Sequence, residues 1–376
     1  MIEFNYKTWK DDFMKKIISI LLAMVMMFSV IPLSVSASDV KDVTPMTISG
    51  GIIDIFYAVK NIFDSVLGLL GGDKRVDVES FIEMPFEVPG LEDDFVPQGI
   101  CYIEELGMFA ISGYMPDDEN GNERYSRIYL VNPDTNESKM FIINKFTGHA
   151  GGIASNGKDI WVSSGGSANS NGKIYHFTTD MFLGESGSTV KYDGYFSVPV
   201  KGSVLYCDGE KLWVSEFYNN DKDSNKVNKE HHKASNHAWS CGYDLPLDVD
   251  YSAKEIKTPD VILSIPDKVQ GMAINDSGNV IFSTSYGRRN DSRMYVFESY
   301  TEWDNDTVSV FDTDVPLYIA KKKNRIIRFK MPTLMEGLDY NEGKLYVIFE
   351  SGANEYSDAK EINKNVWEID IDSIIK

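Results

Sequence analysis

An all-β fold, a five-bladed β-propeller closed by an N-terminal strand, is what this sequence predicts. Three observations carry the prediction. A strand that reads small or basic, then apolar, then aromatic recurs five times along the chain. A second apolar strand precedes each copy after a short turn. The last unit lacks a fourth strand, and a matching one lies ahead of the first unit.

The recurring third strand is Ser126-Arg127-Ile128-Tyr129, Gly172-Lys173-Ile174-Tyr175, Asn236-His237-Ala238-Trp239, Ser292-Arg293-Met294-Tyr295 and Lys364-Asn365-Val366-Trp367. The second strands are Phe109 to Ser112, Ile160 to Ser163, Leu212 to Ser215, Val280 to Ser283 and Leu345 to Ile348. Turns such as Asn156-Gly157 and Asp208-Gly209 precede them, as tight hairpins require. First strands start at Gly99, Gly152, Ser203, Gly271 and Gly337. Outer strands end in Pro199, Pro266 and Pro332, where a missing ladder donor is tolerated. Phe81-Ile82-Glu83-Met84-Pro85 supplies the outer strand that the fifth unit lacks, so closure removes an open edge. An open sandwich is the alternative, and the regular register of the repeats weighs against it.

A chain of 376 residues suggests two or three domains by length alone, but propellers exceed the usual domain size as one unit. The formal net charge is -20. Such a polyanion is repelled by nucleic acid and by anionic lipid. It favours solubility, divalent cations or basic partners, and a solvated acidic surface is the plainest reading.

The N-terminus reads as a secretory signal over 1–37. Lys15 and Lys16 form a positive region, 17–30 is apolar, and Val35-Ser36-Ala37 is a small-residue cleavage site. Met14 is a candidate start. The alternative, an uncleaved anchor, asks for a longer apolar run. A secreted or cell-surface bacterial protein is expected, with no stable membrane insertion after cleavage, and a monomer. Residues 38–78 form an N-terminal segment. Within it Ile52, Phe56, Val59, Phe63, Val66 and Leu70 recur at helical spacing, which predicts an amphipathic helix over 52–70. The propeller spans 79–376. Cys101, Cys207 and Cys241 are an odd set, and no disulfide is expected, because Cys207 and Cys241 fall on strands one and three of one blade.

The loops between second and third strands are the elaborate ones, so their face is the expected site. The residues just before each first strand are Gln98, His149, Lys201, Gln270 and Glu336, and the ends of second strands add Tyr114, Glu216, Tyr286 and Glu350. Carboxylates, an imidazole and amides converging from several blades can hold a divalent cation such as calcium or supply an acid and a base. Glu336, Glu350, Glu216 and His149 are the catalytic candidates. Glu216, Glu336 and Glu350 are the metal candidates. Gln98, Tyr114, Gln270, Tyr286 and Arg288 are the ligand-binding candidates. A hydrated polar channel without a ligand is the competing reading.

His231, His232 and His237, with Asp221 and Asp223 nearby, resemble transition-metal ligands, but their spacing matches no zinc motif and a solvated loop is preferred. His176 reads as structural. Arg288 and Arg289 can grip an anion, a surface pair being the alternative. There is no nucleophile elbow, P-loop, dinucleotide fingerprint or Cys-x-x-Cys.

The strings Pro97-Gln98-Gly99-Ile100, His149-Ala150-Gly151-Gly152-Ile153-Ala154 and Glu336-Gly337-Leu338-Asp339 resemble blade openings of secreted bacterial propellers of largely unassigned function. They are loosely similar to the gluconolactonase/regucalcin group and to phytase-type esterase propellers. The gluconolactonase group is six-bladed and holds its metal with a Glu, Asn and Asp set. Glu336 matches that Glu, and the Asn and Asp have no placed counterparts. Five-bladed glycosidases of the arabinanase and levansucrase kind need three channel carboxylates. Glu216, Glu336 and Glu350 offer themselves, while the early Asp of the first blade is missing.

The expectation is an extracellular propeller binding a small molecule or glycan at the channel mouth. A metal-assisted hydrolase of lactone, ester or glycosidic bonds is the alternative, and a protein-binding scaffold the third. An aromatic platform of Tyr114, Tyr218 and Tyr286 would favour glycan; a bound cation would favour the enzyme.

Overall fold

The computed structural model describes residues 81–164, 171–219 and 229–375. The signal expected over 1–37, the helix expected over 52–70, and Asp221 and Asp223 lie outside the described residues. The rest forms five antiparallel blades. Blade one is β2 (Val96–Ile103), β3 (Met108–Tyr114), β4 (Arg127–Val131) and β5 (Ser138–Ile143). Blade two is β6 (Ala150–Ser155), β7 (Asp159–Ser164), β8 (Gly172–Thr178) and β10 (Gly194–Val198). Blade three is β11 (Val204–Cys207), β12 (Lys211–Ser215), β13 (Ala238–Asp244) and β14 (Val261–Ile265). Blade four is β15 (Val269–Ile274), β16 (Asn279–Thr284), β17 (Ser292–Ser299) and β20 (Arg325–Met331). Blade five is β21 (Met335–Asn341), β22 (Lys344–Phe349) and β23 (Trp367–Ile369), completed by β1 (Ile82–Glu83).

Closure follows the sequence reading. Ile82 sits opposite Ile369 and Glu83 opposite Glu368. The seam continues past the strand: Val88 N donates to Lys364 O at 2.8 Å, and Val366 N donates to Phe86 O at 3.0 Å. Phe86 and Val88 are buried there, so the seam is hydrophobic as well as hydrogen-bonded.

Five inner strands around one axis crowd each other, which explains why first strands open on glycine. A Cβ on Gly152 would lie 2.4 Å from the Leu205 backbone nitrogen, and one on Gly337 would lie 2.8 Å from the Gln98 carbonyl oxygen. No side chain fits at either place. Apolar residues of adjacent blades fill the space between sheets, with Trp161 and Trp213 fully buried.

Three connections between third and fourth strands do something the repeat did not announce. β9 (Ser188–Val190), between β8 and β10, pairs in parallel with β5 of blade one. β18 (Asp304–Val310) and β19 (Thr313–Ile319), between β17 and β20, extend blade three, with β19 parallel to β14. In blade three's own connection, Tyr251 O accepts from Tyr195 N at 3.0 Å and Glu255 O accepts from Ser197 N at 2.7 Å, against the edge of blade two. Each insertion thus covers the outer edge of the preceding blade, where unpaired backbone groups invite aggregation. Pro199 and Pro266 follow the covered edges of blades two and three, and Pro332 follows β20 of blade four.

Cys101, Cys207 and Cys241 are all free. The strand order β11-β12-β13 keeps Cys207 and Cys241 two strands apart. Cys101 and Cys241 are buried, while Cys207 is only half-buried. His176 is structural: its ring bonds Asp193 at 2.8 Å and Asp159 at 2.9 Å and stacks on Tyr251.

Candidate functional site

The site begins with a backbone irregularity repeated in four blades. The ladder between first and second strands skips a residue after Pro97, after Ala150, after Val269 and after Met335. A bulge of this kind takes a residue out of the ladder and re-aims its side chain. The residues set free are Gln98, Gly151, Gln270 and Glu336 with Gly337. Gln98, Gly151, Gln270 and Glu336 line a cavity of about 840 Å³ at one mouth of the channel.

Glu336 and Glu350 are its chemical centre. Both are buried, both come from blade five, and their carboxyl groups hydrogen-bond to each other. Two buried carboxyls this close favour a proton held on one of them. Gln270 Nε2 donates to Glu336 Oε1 at 2.8 Å, and Gln98 Nε2 donates to Glu350 Oε1. Tyr356 OH reaches the same Glu350 oxygen at 3.4 Å. Ser283 Oγ donates to the Glu336 carbonyl oxygen at 2.6 Å, which fixes the bulge. Burial, and then the neighbouring Glu350 charge, push Glu336 well above the usual carboxylate range. Burial pushes Glu350 up as well, and the bonds from Gln98 and Glu336 hold it back. The pair therefore keeps a proton that ordinary carboxylates lose.

His149 lines the same cavity. Its ring stacks on Tyr114 at 4.0 Å between centroids, and burial lowers its pKa, which favours the neutral imidazole. Tyr114 OH meets Tyr356 OH at 3.3 Å. Phe217 and Tyr286 form an aromatic wall, with Lys268 Nζ 5.3 Å from the Tyr286 ring centre. Lys201, itself buried, also lines the cavity.

Several expected roles need correction. Glu216 does not line the cavity. Its carboxylate turns into blade three, where His231 Nδ1 binds it at 2.6 Å and Trp239 N donates at 3.0 Å. The three-carboxylate set Glu216, Glu336 and Glu350 therefore does not converge, either as metal ligands or as a glycosidase triad. Tyr218 does not join Tyr114 and Tyr286 in a platform, because its ring stacks on His237. The three histidines have separate partners: His231 takes Glu216, His237 takes Asp267 at 2.9 Å, and His232 packs edge-on against His237. Arg288 lines the cavity, but its guanidinium spans Asp358 at 2.6 Å and Glu355 at 2.8 Å and lies over the Tyr356 ring. It holds the blade-five loop in place rather than presenting a bare anion grip.

Two carboxyls and two amides are oxygen donors of the kind calcium takes, but fewer than its usual six to eight. Both amides here give N–H to the carboxyls. A calcium ion would have to displace the shared proton and draw further donors from water or ligand. Among the described residues no three His, Cys, Asp or Glu side chains form a metal cluster.

Tyr356 went unnoticed in the sequence. It lies in the non-repeating loop after β22, and nothing in the spacing marks it. The opposite channel mouth was missed too. It holds a second cavity of about 620 Å³, lined by the short hairpins and by Asp339. Asp339 accepts from Tyr102 N at 2.7 Å, and burial pushes its carboxyl up to about 7.

No protein-family model matches the chain, and no curated protein matches it. Among solved structures it is similar to the PQQ-bound aldose sugar dehydrogenase of Streptomyces coelicolor, with TM-score 0.43 and 11% identity over 77% of this chain and 96% of that one. It is also similar to a GH43_1 enzyme from Xanthomonas citri, with TM-score 0.38 and 8% identity over 73% and 86%. A luciferin-regenerating enzyme gives TM-score 0.37 and 12% identity over 73% and 91%. Likenesses at this level carry no argument about activity. The propeller assignment rests on the five sheets themselves.

Proposed function

We propose that this protein binds a small polyhydroxylated molecule, of the glycan or sugar type, in the channel-mouth cavity, and does so outside the cell. The observation that carries the reading is the Glu336–Glu350 pair framed by Gln98 and Gln270. Sugars offer paired donors and acceptors on a ring with apolar faces. A proton-bearing carboxyl pair offers both donor and acceptor at one place, the amides add more, and Phe217 and Tyr286 offer flat apolar surface. The cavity volume of about 840 Å³ lies within the range of small-ligand sites. The extracellular part of the reading is supported by the leader-like Lys15, Lys16 and the apolar run 17–30.

A second reading, hydrolysis, is favoured by one feature: a protonated carboxyl pair and a neutral His149 share the cavity, so an acid and a base are both present. Glycosidic cleavage is the least suited reaction. Carboxyl pairs of glycosidases stand about 5 Å or more apart, whereas these two are close enough to raise one another's proton affinity. Lactone or ester cleavage places no such demand.

Calorimetry against a panel of neutral mono- and disaccharides tests the first reading. Binding to the wild-type protein is expected, with at least a tenfold loss in Glu336→Gln. Failure of every sugar to bind, or equal binding by the variant, overturns it. Turnover of an aryl ester or a sugar lactone, lost in Glu350→Gln, would instead establish the hydrolase.

A further inference from the structure

The blades are tied to one another at their outer edges, and the ties follow a rule. The connection ahead of an outer strand reaches back to the outer strand of the preceding blade. β9 pairs with β5 and ties blade two to blade one. Ile256 bridges Ser197 of β10, whose N donates to Glu255 O and whose O accepts from Lys257 N at 2.9 Å, and this ties blade three to blade two. β19 pairs with β14 and ties blade four to blade three. All three pairings are parallel. Blade one is the exception. Its connection is a tight turn, with Asn132 N donating to Glu137 O at 2.9 Å, and closure already joins it to blade five through β1.

Blade four's outer strand, β20, ends its sheet among the described residues. Alternate backbone amides and carbonyls of such an edge point away from the neighbouring strand and need partners. Ile326 stands exposed on it. By the rule, the tie to β20 belongs to the connection ahead of blade five's outer strand. That strand is β1, so the connection is the stretch leading into Phe81, which lies outside the described residues. Phe81 itself packs against the apolar cluster that holds Phe297 of blade four and Leu345 of blade five. The stretch therefore arrives at the junction of these two blades.

Spacing names the segment. Val190 stands four residues before Gly194 at the start of β10, Ile256 five before Val261 at the start of β14, and Ile319 six before Arg325 at the start of β20. The same steps counted back from Ile82 at the start of β1 land on Val78, Asp77 and Val76. Val76-Asp77-Val78-Glu79 alternates β-branched apolar residues with acids, which is the pattern of a strand with one covered face.

We propose that residues 76–79 pair in parallel with β20, cover the outer edge of blade four and tie it to blade five. Neighbouring blades are then joined all the way round the ring.

Hydrogen exchange read at single amides of the full chain tests this. In the wild type the outward amides of β20 should exchange within about tenfold of the β14 amides that face β19, and residues 76–79 should be protected with them. Asp77→Pro combined with Val78→Pro removes a ladder donor in either register. It should speed the outward amides of β20 at least tenfold and leave the amides facing β17 within about twofold. Thermal unfolding checks that the variant folds, and the wild-type comparison needs no variant. Outward β20 amides that exchange like an unstructured peptide would overturn the proposal. So would protection that survives both prolines. Protection lost on dilution of the wild type would overturn it too, by giving the edge to a second copy of the chain.

Discussion

At the scale of single residues, the molecule keeps several acids away from water at both ends of its channel. Burial raises Glu336 and Glu350 together at one mouth, and at the other Asp339 is buried beneath hairpin carboxylates such as Asp208 and Asp276, accepting from Tyr102 N. The sign of the consequence is fixed by the direction of these shifts. A carboxyl whose folded-state pKa is raised holds a proton in the native state that the unfolded chain has already lost. The stabilisation relative to the ionised form is present at low pH and is lost as pH rises through the folded-state value. For Asp339 the window runs from the ordinary 3.8 to about 7. Asp339→Asn does not titrate and resembles the neutral acid in shape. The stability of the wild type minus that of Asp339→Asn should therefore fall between those pH values, by about 4 kcal/mol at most, and then level off. Urea unfolding of the two proteins at a series of pH values measures this difference. Parallel profiles would show that the Asp339 carboxyl is ionised well below neutrality.

At the scale of elements, closure is the feature on which most else depends. The outer strand of blade five comes from the other end of the chain, through Ile82 and Glu83 and then the Phe86 to Val88 seam. Removing residues up to Val88 takes away these ladder bonds and the buried Phe86 and Val88 side chains. Each such side chain is worth about 1.5–3 kcal/mol, and the truncation leaves an open edge on β23. A loss of about 5 kcal/mol or more is expected, seen as a large fall in thermal midpoint and a tendency to aggregate. A truncated protein as stable as the full chain would mean that β1 is ornamental. This strand was visible in advance because Phe81 to Pro85 repeats the pattern of the other outer strands. The five openings were visible for the same reason, and with them Gln98, His149, Gln270 and Glu336. What was hidden lies outside the repeat. β9, β18 and β19 are insertions whose partners sit in the previous blade, so no local pattern names them. Glu216 occupies a strand end like those of Tyr114 and Glu350, yet His231, fifteen positions on, draws its carboxylate away from the channel. Sequence spacing reports where a Cα falls and not which long-range partner captures the side chain.

At the scale of the whole molecule, the cavity belongs to no single blade. Gln98, His149, Lys201, Gln270 and Glu336 come one from each, so the site exists only when the ring is closed. That raises the question of whether closure must occur in blade five. The physical requirement is that one blade be completed by strands from both chain ends, and the geometry of the ring does not single out which. Phe81 O accepts from Asp370 N at 3.3 Å, so the two ends of the described propeller already lie side by side. A short flexible linker can join them. The turn at Gly157 joins β6 to β7 on the face opposite the Glu336–Glu350 cavity, and a Cβ there would touch nothing within 4 Å. Opening the chain at an exposed tip of this kind is what circular permutation tolerates best. A permutant that starts at Lys158, runs through the linker and ends at Gly157 would close in blade two, with β6 arriving from the other end of the chain. It should fold to a monomer, unfold in one cooperative step within about 10 °C of the parent, and bind ligand with unchanged affinity, since every cavity residue keeps its place. Far-ultraviolet circular dichroism with thermal unfolding and the same calorimetry read all three outcomes. A permutant that stays unfolded would show that blade five closure is needed for more than sealing the ring. A permutant that folds yet does not bind would show that blade two must be continuous to hold His149 against Tyr114, which would place His149 at the centre of recognition.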